Sequence, residues 1–177
     1  MNIGQGIRAG RSRVAGWRAW TVIETNAGVR LGSVIYDTVW HPGDAAVAAC
    51  LCGEAHVAPA LACTCGFHAA RDPVDALTYL QGRDESRTLC RVLGEVLLSG
   101  VVVETEAGYR GAAAEPLRLY AKDVEVAAQL ETTYRVPVLS PVCESASATS
   151  STAASAGLST SSCSAARTRS SWTAASG

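Results

Sequence analysis

The sequence has no long apolar run, almost no net charge and few aromatic residues. No apolar run approaches the roughly 18 residues that a membrane-spanning helix needs. The N-terminal residues lack the apolar core of a secretory signal, so we expect a cytoplasmic protein. Fifteen basic and sixteen acidic residues give a net charge of −1, which excludes a strong overall attraction to nucleic acid or to a membrane.

Sequence motifs of named reactions are also missing. The chain contains no G-x-S-x-G, no phosphate-cradling glycine loop and no H-E-x-x-H, the patterns that would indicate a particular catalytic chemistry. A non-enzymatic binding protein is therefore the first expectation, and an enzyme is the alternative.

Composition divides the chain into three parts. Residues 1–13 form an arginine-rich arm without acids, which we expect to be flexible; it is either an incidental extension or a segment that contacts phosphates. Residues 14–143 contain most of the large apolar residues and predict a single domain. Residues 144–177 are mostly serine, alanine and threonine, which predicts a disordered tail. A frameshifted end of the gene would produce the same composition.

The hydrophobic pattern predicts an α+β fold with five or six strands and two helices. The expected strands include 16–24, 29–40, 90–106 and 109–120, with short extended pieces near 66–69 and 135–142, and the expected helices are 71–83 and 121–134. These elements predict a small curled antiparallel sheet or partly open barrel, with a Cys/His loop. Gly94 and Gly100 interrupt one long strand, which predicts bends or bulges at these positions.

The first helix has a favourable start. Asp72 precedes Pro73, a pair that is typical of the N-cap and of the first helical position. Val74, Leu77 and Leu80 line one face of this helix.

Four cysteines and two histidines are gathered in residues 49–69, ACLCGEAHVAPALACTCGFHA. Each of two C-x-C pairs is followed by a glycine, which lets backbone amides turn toward the sulfurs. In a reducing compartment, clustered cysteines are more often metal ligands or catalysts than disulfides. Since zinc takes four thiolate or imidazole ligands in a tetrahedron, the cluster predicts a zinc site. Buried inert cysteines are the main alternative.

Six side chains compete for the four ligand positions. The expected ligands are Cys50, His56, Cys63 and Cys65, with Cys52 as the main substitute and His68 as the second. Four strong ligands close the coordination shell, and thiolates weaken zinc as a Lewis acid. The predicted zinc site is therefore structural.

Two enzymatic alternatives stay open. Cys63 or Cys65 can act as a nucleophile if His68 lowers the thiol pKa. A zinc ion with only three protein ligands can instead hydrolyse a substrate with the help of Glu54.

Three residues are candidates for contact with a partner: Arg18, Tyr109 and Arg110. Tyr109 and Arg110 lie beside a predicted turn, where an exposed aromatic–arginine pair can stack on a base or hold an anion. The alternative is that Tyr109 covers the end of the sheet and Arg110 pairs with an acid such as Glu106. The tryptophans of the predicted strands are expected to pack in the core or at its rim. The partner of the predicted binding module is a nucleic acid or a protein.

Five segments in a fixed order form a recognisable pattern. They are GWRAW at 16–20, W-H-P-G at 40–43, C-x5-H-x-A-P at 50–59, CTCGFHA at 63–69 and GEVLLSGVVVETEAGYRGAAAEPLRLY at 94–120. In these segments the chain resembles a family of small proteins without an assigned activity, found in actinobacteria and their phages. The resemblance supports Cys50, His56, Cys63 and Cys65 as the ligands, because they fall on the recurrent Cys and His positions of the family, and it makes Cys52 the weaker candidate. It adds a third functional hypothesis, a phage or mobile-element accessory protein that acts by protein–protein contact.

Overall fold

The computed structural model describes residues 9–53, 56–82 and 84–141, and this part of the chain is mixed α+β and mostly strand, as predicted. Of the predicted basic arm, residues 1–8 lie outside the described residues, and Ala9–Arg11 forms a short strand. The predicted tail, 144–177, lies wholly outside them. Among the helices of the described part, none has the length and apolarity to cross a membrane.

Nine strands and two α-helices make up the described residues. The strands are β1 (Ala9–Arg11), β2 (Val14–Thr25), β3 (Gly28–Ser33), β4 (Val39–Trp40), β5 (Ala46–Val47), β6 (Phe67–Ala69), β7 (Thr88–Thr105), β8 (Gly108–Tyr120) and β9 (Val138–Leu139). The helices are α1 (Pro73–Leu77), which continues into a short 3-10 helix at Thr78–Leu80, and α2 (Val124–Tyr134).

The long β7–β8 hairpin is the centre of a single sheet. The strand order is β4-β3-β2-β7-β8-β5, with β1 also paired to β7, and with β6 and β9 also paired to β8. Only β9 runs parallel to its neighbour. The β7–β8 register shifts between Ser99 and Val102, where Gly100 has a φ of +77°. The irregularity predicted at Gly100 is therefore confirmed.

One face of the sheet and α2 form the hydrophobic core. Its largest fully buried side chains include Trp20, Trp40, Leu31, Leu98, Leu119 and Leu130. The Trp40 ring stands edge-on to Trp20, with ring centroids 5.5 Å apart, and to Phe67, at 5.0 Å. Trp17 stacks on Tyr120 at 5.9 Å. The three tryptophans of the described residues therefore pack in the core and at its rim, as predicted.

Helix α2 is fixed at both ends by hydrogen bonds. The Asp123 carboxylate accepts from two backbone N–H groups of the first turn, at 2.9 and 3.0 Å, which is a standard N-cap. At the other end, the buried Tyr134 hydroxyl accepts from the N–H of Leu31 (2.8 Å) and donates to the carbonyl of Trp40 (2.7 Å). One side chain thus ties α2 to β3 and β4.

Helix α1 is shorter than predicted and buries a small residue. Asp72 caps it as expected, because its carboxylate accepts from the N–H of Val74 at 2.8 Å. Of the apolar side chains of α1, Val74 and Leu77 are exposed, and Ala76 is buried instead. A small side chain at the contact lets a one-turn helix lie close to its neighbours, which leaves the larger side chains outside.

The sheet curls until two of its strands meet. The N–H of Trp17, in β2, donates to the carbonyl of Ala70 (2.8 Å), and the N–H of Ala70 donates back to Trp17 (2.7 Å). Ala70 follows β6, which is itself paired to β8. The bridge is a single residue pair, so the sheet stays open rather than closing through a continuous ladder.

Candidate metal centre

The Cys/His loop is inserted between β5 and β6, two short strands that lie in line along one edge of β8. β5 and β6 pair with the same edge of β8, where Val47 lies opposite Ala113 and Phe67 lies opposite Gly111. Between these two strands, residues 48–66 leave the sheet and return beside the position that they left. Both ends of the loop are therefore fixed on β8.

Four side chains of this loop converge on one point. The ligand atoms of Cys50, His56, Cys63 and Cys65 all lie within 4.8 Å of one another. The Sγ atoms of Cys50 and Cys63 are 3.7 Å apart, and His56 Nε2 is 3.2 Å from Cys65 Sγ. A tetrahedral ion with Zn–S bonds of about 2.3 Å separates its ligand atoms by about 3.5–3.8 Å. The cluster can therefore hold a metal ion.

Glycine conformations shape the turns that follow the two C-x-C pairs. Gly53 and Gly66 have φ values of +81° and +115°, a region that residues with a side chain rarely adopt. A Cβ atom on Gly66 would lie 3.0 Å from Pro59 Cβ and 3.3 Å from the Gly111 carbonyl oxygen. Glycine at position 66 therefore lets the end of the loop lie directly against β8.

Cys52 is a fourth thiol, beside the three thiols and one imidazole of the cluster. Its Sγ lies 2.7 Å from Cys50 Sγ and 3.6 Å from Cys63 Sγ. Cys50 and Cys52 are too close together to occupy two corners of one tetrahedron around zinc. At this separation only one of them serves a four-coordinate ion, and Cys52 is the more exposed of the two.

Hydrogen bonds prepare the thiols differently. The pKa of Cys63 is lowered to about 6, mainly because the backbone N–H of Cys65 donates a hydrogen bond to its sulfur. The pKa of Cys50 is raised to about 12, mainly because its thiol shares a hydrogen bond with Cys52. Because the thiolate is the form that binds metal, the hydrogen bond from Cys65 favours the metal-binding form of Cys63.

Arg110 holds the loop to β8 from inside the protein. It is only 8% exposed, and its Nη1 donates to the carbonyl oxygens of Ala60 (3.2 Å), Cys65 (2.9 Å) and Cys63. Two of these carbonyls belong to residues of the metal cluster. The exposed Tyr109–Arg110 pair predicted from the sequence is therefore not formed. The partners of Arg110 are carbonyls rather than the acid that the alternative interpretation expects.

Arg18 supports the same region from β2. Its Nη1 donates to the carbonyl of His68 (2.7 Å) and its Nη2 to the Ser33 hydroxyl (3.3 Å). The guanidinium also lies 5.4 Å from the centre of the Trp40 ring. Burial lowers the pKa of Arg18 to about 10, so the group stays charged at neutral pH. Contact of Arg18 with a partner stays a prediction.

Tyr109 pairs with Arg71, a residue that the sequence analysis did not single out. Arg71 Nη1 donates to the Tyr109 hydroxyl (2.9 Å), and the guanidinium lies 4.6 Å from the ring centre. Arg71 also forms an ion pair with Glu104 (2.7 Å). These contacts tie the segment after β6 to the turn between β7 and β8. Arg71 and Tyr109 are 38 positions apart in the chain, and no local pattern indicates such a pair.

His68 and Glu54 are the residues on which the two enzymatic alternatives depend. His68 Nε2 lies 2.8 Å from the carbonyl of Thr64, and burial is the main cause that lowers the pKa of His68. His68 is not a member of the four-residue cluster, and the histidine in contact with a cysteine is His56. Glu54, on which the hydrolytic hypothesis depends, lies outside the described residues.

Comparison with known proteins assigns no relative to this chain. No protein-family model, curated protein or solved structure matches it. The chemistry of the metal centre is therefore argued from its own residues.

Proposed function

We propose that this protein is a non-enzymatic binding module whose Cys/His loop is stabilised by a structural zinc ion. The ligands are Cys50, His56, Cys63 and Cys65, and the loop that they fix is the surface offered to a partner. The convergence of these four ligand atoms within 4.8 Å carries the proposal.

The donor set supports zinc and a structural role. Three thiolates and one imidazole form a combination typical of structural zinc sites, whereas magnesium and calcium take oxygen ligands. Four protein ligands leave no open position for a reacting water molecule. Arg110 fixes the backbone on which two of these ligands lie, which suits a site that holds a shape rather than one that turns over substrate.

A protein partner is favoured by the surface of the loop. Leu51, Val57 and Leu61 are 76%, 84% and 56% exposed. Large apolar side chains on a fixed loop suit contact with another protein surface. We also propose that this chain is related to the small actinobacterial and phage proteins that it resembles. The hypothesis of a phage or mobile-element accessory protein likewise expects contact with another protein.

A nucleic-acid partner has less support from the described arginines. Arg18 and Arg110 direct their guanidinium groups to carbonyl oxygens within the fold. Arg13 is 71% exposed but lies 3.3 Å from the Glu115 carboxylate. Phosphate binding needs cationic groups that reach outward, and these three groups have internal partners.

The purified full-length protein is expected to contain about one zinc ion per chain, as a closed four-ligand site requires. Removal of the ion with a strong chelator should open residues 48–66 to protease and leave the sheet folded, because strands and α2 supply the core. Metal analysis and limited proteolysis with mass spectrometry measure both effects. A metal-free protein whose loop resists protease without chelator treatment would contradict the proposal.

The full chain is expected to pass an immobilised DNA column without retention at about 0.15 M salt, where charges separated by more than about 8 Å are largely screened. The reason is a net charge of −1 combined with the partners that Arg13, Arg18 and Arg110 have within the chain. Arg13→Glu is the matched variant, and it should pass the column in the same way as the wild-type protein. Retention that falls with salt and is lost in Arg13→Glu would identify a nucleic-acid partner instead.

A further inference from the structure

The Cys/His loop carries one more thiol, Cys52, than the four-residue cluster uses. Cys52 Sγ lies 2.7 Å from Cys50 Sγ, which is closer than two non-bonded sulfur atoms rest against each other. Cys52 is also exposed, whereas Cys50, Cys63 and Cys65 are half-buried. An oxidant arriving from solvent therefore meets Cys52 before it meets the ligands.

From this arrangement we propose that Cys52 is an oxidant-reactive thiol that forms a disulfide with Cys50 and thereby opens the metal loop. The oxidant is a hydroperoxide, with hydrogen peroxide as the simplest member. The effect on metal binding rests on the zinc site proposed above, and the disulfide itself does not.

The reaction consumes one peroxide, the Cys52 thiol and the Cys50 thiolate. The sulfur of Cys52 attacks one peroxide oxygen, so that an S–O bond forms, the O–O bond breaks and the departing oxygen leaves as water after taking the thiol proton of Cys52. The sulfur of Cys50 then attacks the sulfur of Cys52, so that an S–S bond forms and the S–O bond breaks. The leaving hydroxide takes a proton from solvent and becomes the second water, because a zinc-bound Cys50 is a thiolate without a proton of its own. The two sulfurs lose two electrons, which reduce the peroxide. Zinc loses its bond to Cys50 in the second step.

The surroundings favour Cys50 over Cys63 as the partner of Cys52. Cys63 Sγ is 3.6 Å away, and the carbonyl of Cys63 is held by Arg110. Beside Cys52, by contrast, a Cβ atom placed on Gly53 would meet no atom within 4 Å, and Leu51 is 76% exposed. The segment 50–53 therefore has the room that closure of a disulfide between near neighbours requires.

Treatment of the zinc-loaded full chain with one equivalent of hydrogen peroxide tests the proposal. Remaining thiols are alkylated, and a glutamate-specific protease cuts after Glu24 and Glu54, which separates the first C-x-C pair from the second. We expect the 25–54 fragment to be unalkylated and about 2 Da lighter than its reduced form, as one internal disulfide requires. Zinc release, followed with a colorimetric chelator, should accompany this change, and dithiothreitol should reverse both.

Two variants complete the test. Cys52→Ser should still bind zinc, because Cys52 is not one of the proposed ligands, and should release it under peroxide on the order of tenfold more slowly, since no exposed thiol starts the reaction. Cys90→Ser, which removes a thiol from β7 outside the loop, should behave like the wild-type protein. A disulfide that joins the 25–54 and 55–85 fragments, or zinc release as fast in Cys52→Ser as in the wild type, would overturn the proposal.

Failure of the zinc site is distinguishable from failure of the disulfide. Absence of zinc from the untreated protein overturns the proposed function and the control of metal by Cys52. The mass of the 25–54 fragment does not depend on zinc, and it decides the pairing of Cys50 with Cys52 in either case.

Discussion

Replacement of Cys63 by serine is expected to weaken zinc binding by more than about a hundredfold, since even changes outside the ligand shell weaken metal sites by 10- to 100-fold. Cys63 Sγ lies 3.7 Å from Cys50 Sγ, and hydrogen bonding from Cys65 already favours its thiolate. A serine hydroxyl at this position stays protonated and is a poor ligand for zinc. Competition with a fluorescent zinc chelator measures the affinity.

The sheet of the Cys63→Ser variant should stay folded while its loop becomes sensitive to protease. Cys90→Ser is the control for removal of a thiol outside the loop, and it should retain about one zinc per chain. Wild-type affinity in Cys63→Ser would refute this ligand set. Loss of zinc from Cys52→Ser, with Cys50→Ser unaffected, would assign the fourth position to Cys52.

Replacement of Arg110 by methionine is expected to lower the free energy of unfolding by about 3 kcal/mol. The variant loses hydrogen bonds from a charged donor and leaves buried carbonyl groups without a hydrogen-bond donor. Methionine keeps most of the apolar stem but donates to none of the carbonyls of Ala60, Cys63 and Cys65. Zinc affinity should fall as well, because the backbone of two ligands loses its anchor. Urea denaturation of the zinc-loaded protein gives the free energy.

Arg118→Met is the matched control on the same strand. Arg118 pairs with Glu95 at 2.9 Å, with 45% of its side chain exposed, so its loss should cost less than about 1 kcal/mol. Equal costs for Arg110→Met and Arg118→Met would show that the three carbonyl contacts contribute little to stability.

The Cys/His cluster could be predicted from the sequence because its signals are local. Each C-x-C pair and the glycine after it form one turn, and His56 lies between the pairs, so residue type and spacing indicate the candidate ligands. The same holds for the N-cap of α1, because Asp72 lies immediately before the helix that it starts. Long strands such as β7 and β8 were predicted because β-branched and apolar residues continue through them.

The hydrogen-bond partners of Arg18 and Arg110 could not be predicted from the sequence, because these partners lie on distant segments of the chain. Arg110 and Cys63 are 47 positions apart, and Arg18 and His68 are 50 apart. An arginine in a strand next to a turn has the same local sequence whether it faces solvent or a loop that returns over it. Only the return of residues 48–66 to the edge of β8 decides between the two.

The segment 29–40 was predicted as one strand, but it forms two. β3 ends at Ser33, and the N–H of Ser33 bonds to the carbonyl of Thr38 (2.9 Å) across the bend between them. β4 then turns back along β3 and brings Trp40 into the core, 1% exposed. The apolar content of the segment was interpreted correctly, whereas the reversal within it is set by tertiary packing rather than by a glycine or proline signal.

The loop between β5 and β6 can change in length or sequence without changing the sheet. Because β5 and β6 lie in line on β8, opposite Ala113 and Gly111, the sheet would keep its register if the chain ran straight from one to the other. The entropy of closing such an insert grows only slowly with its length, so evolution can lengthen, shorten or exchange it at little cost to the frame. The loop and the sheet can therefore diversify at different rates within one small domain.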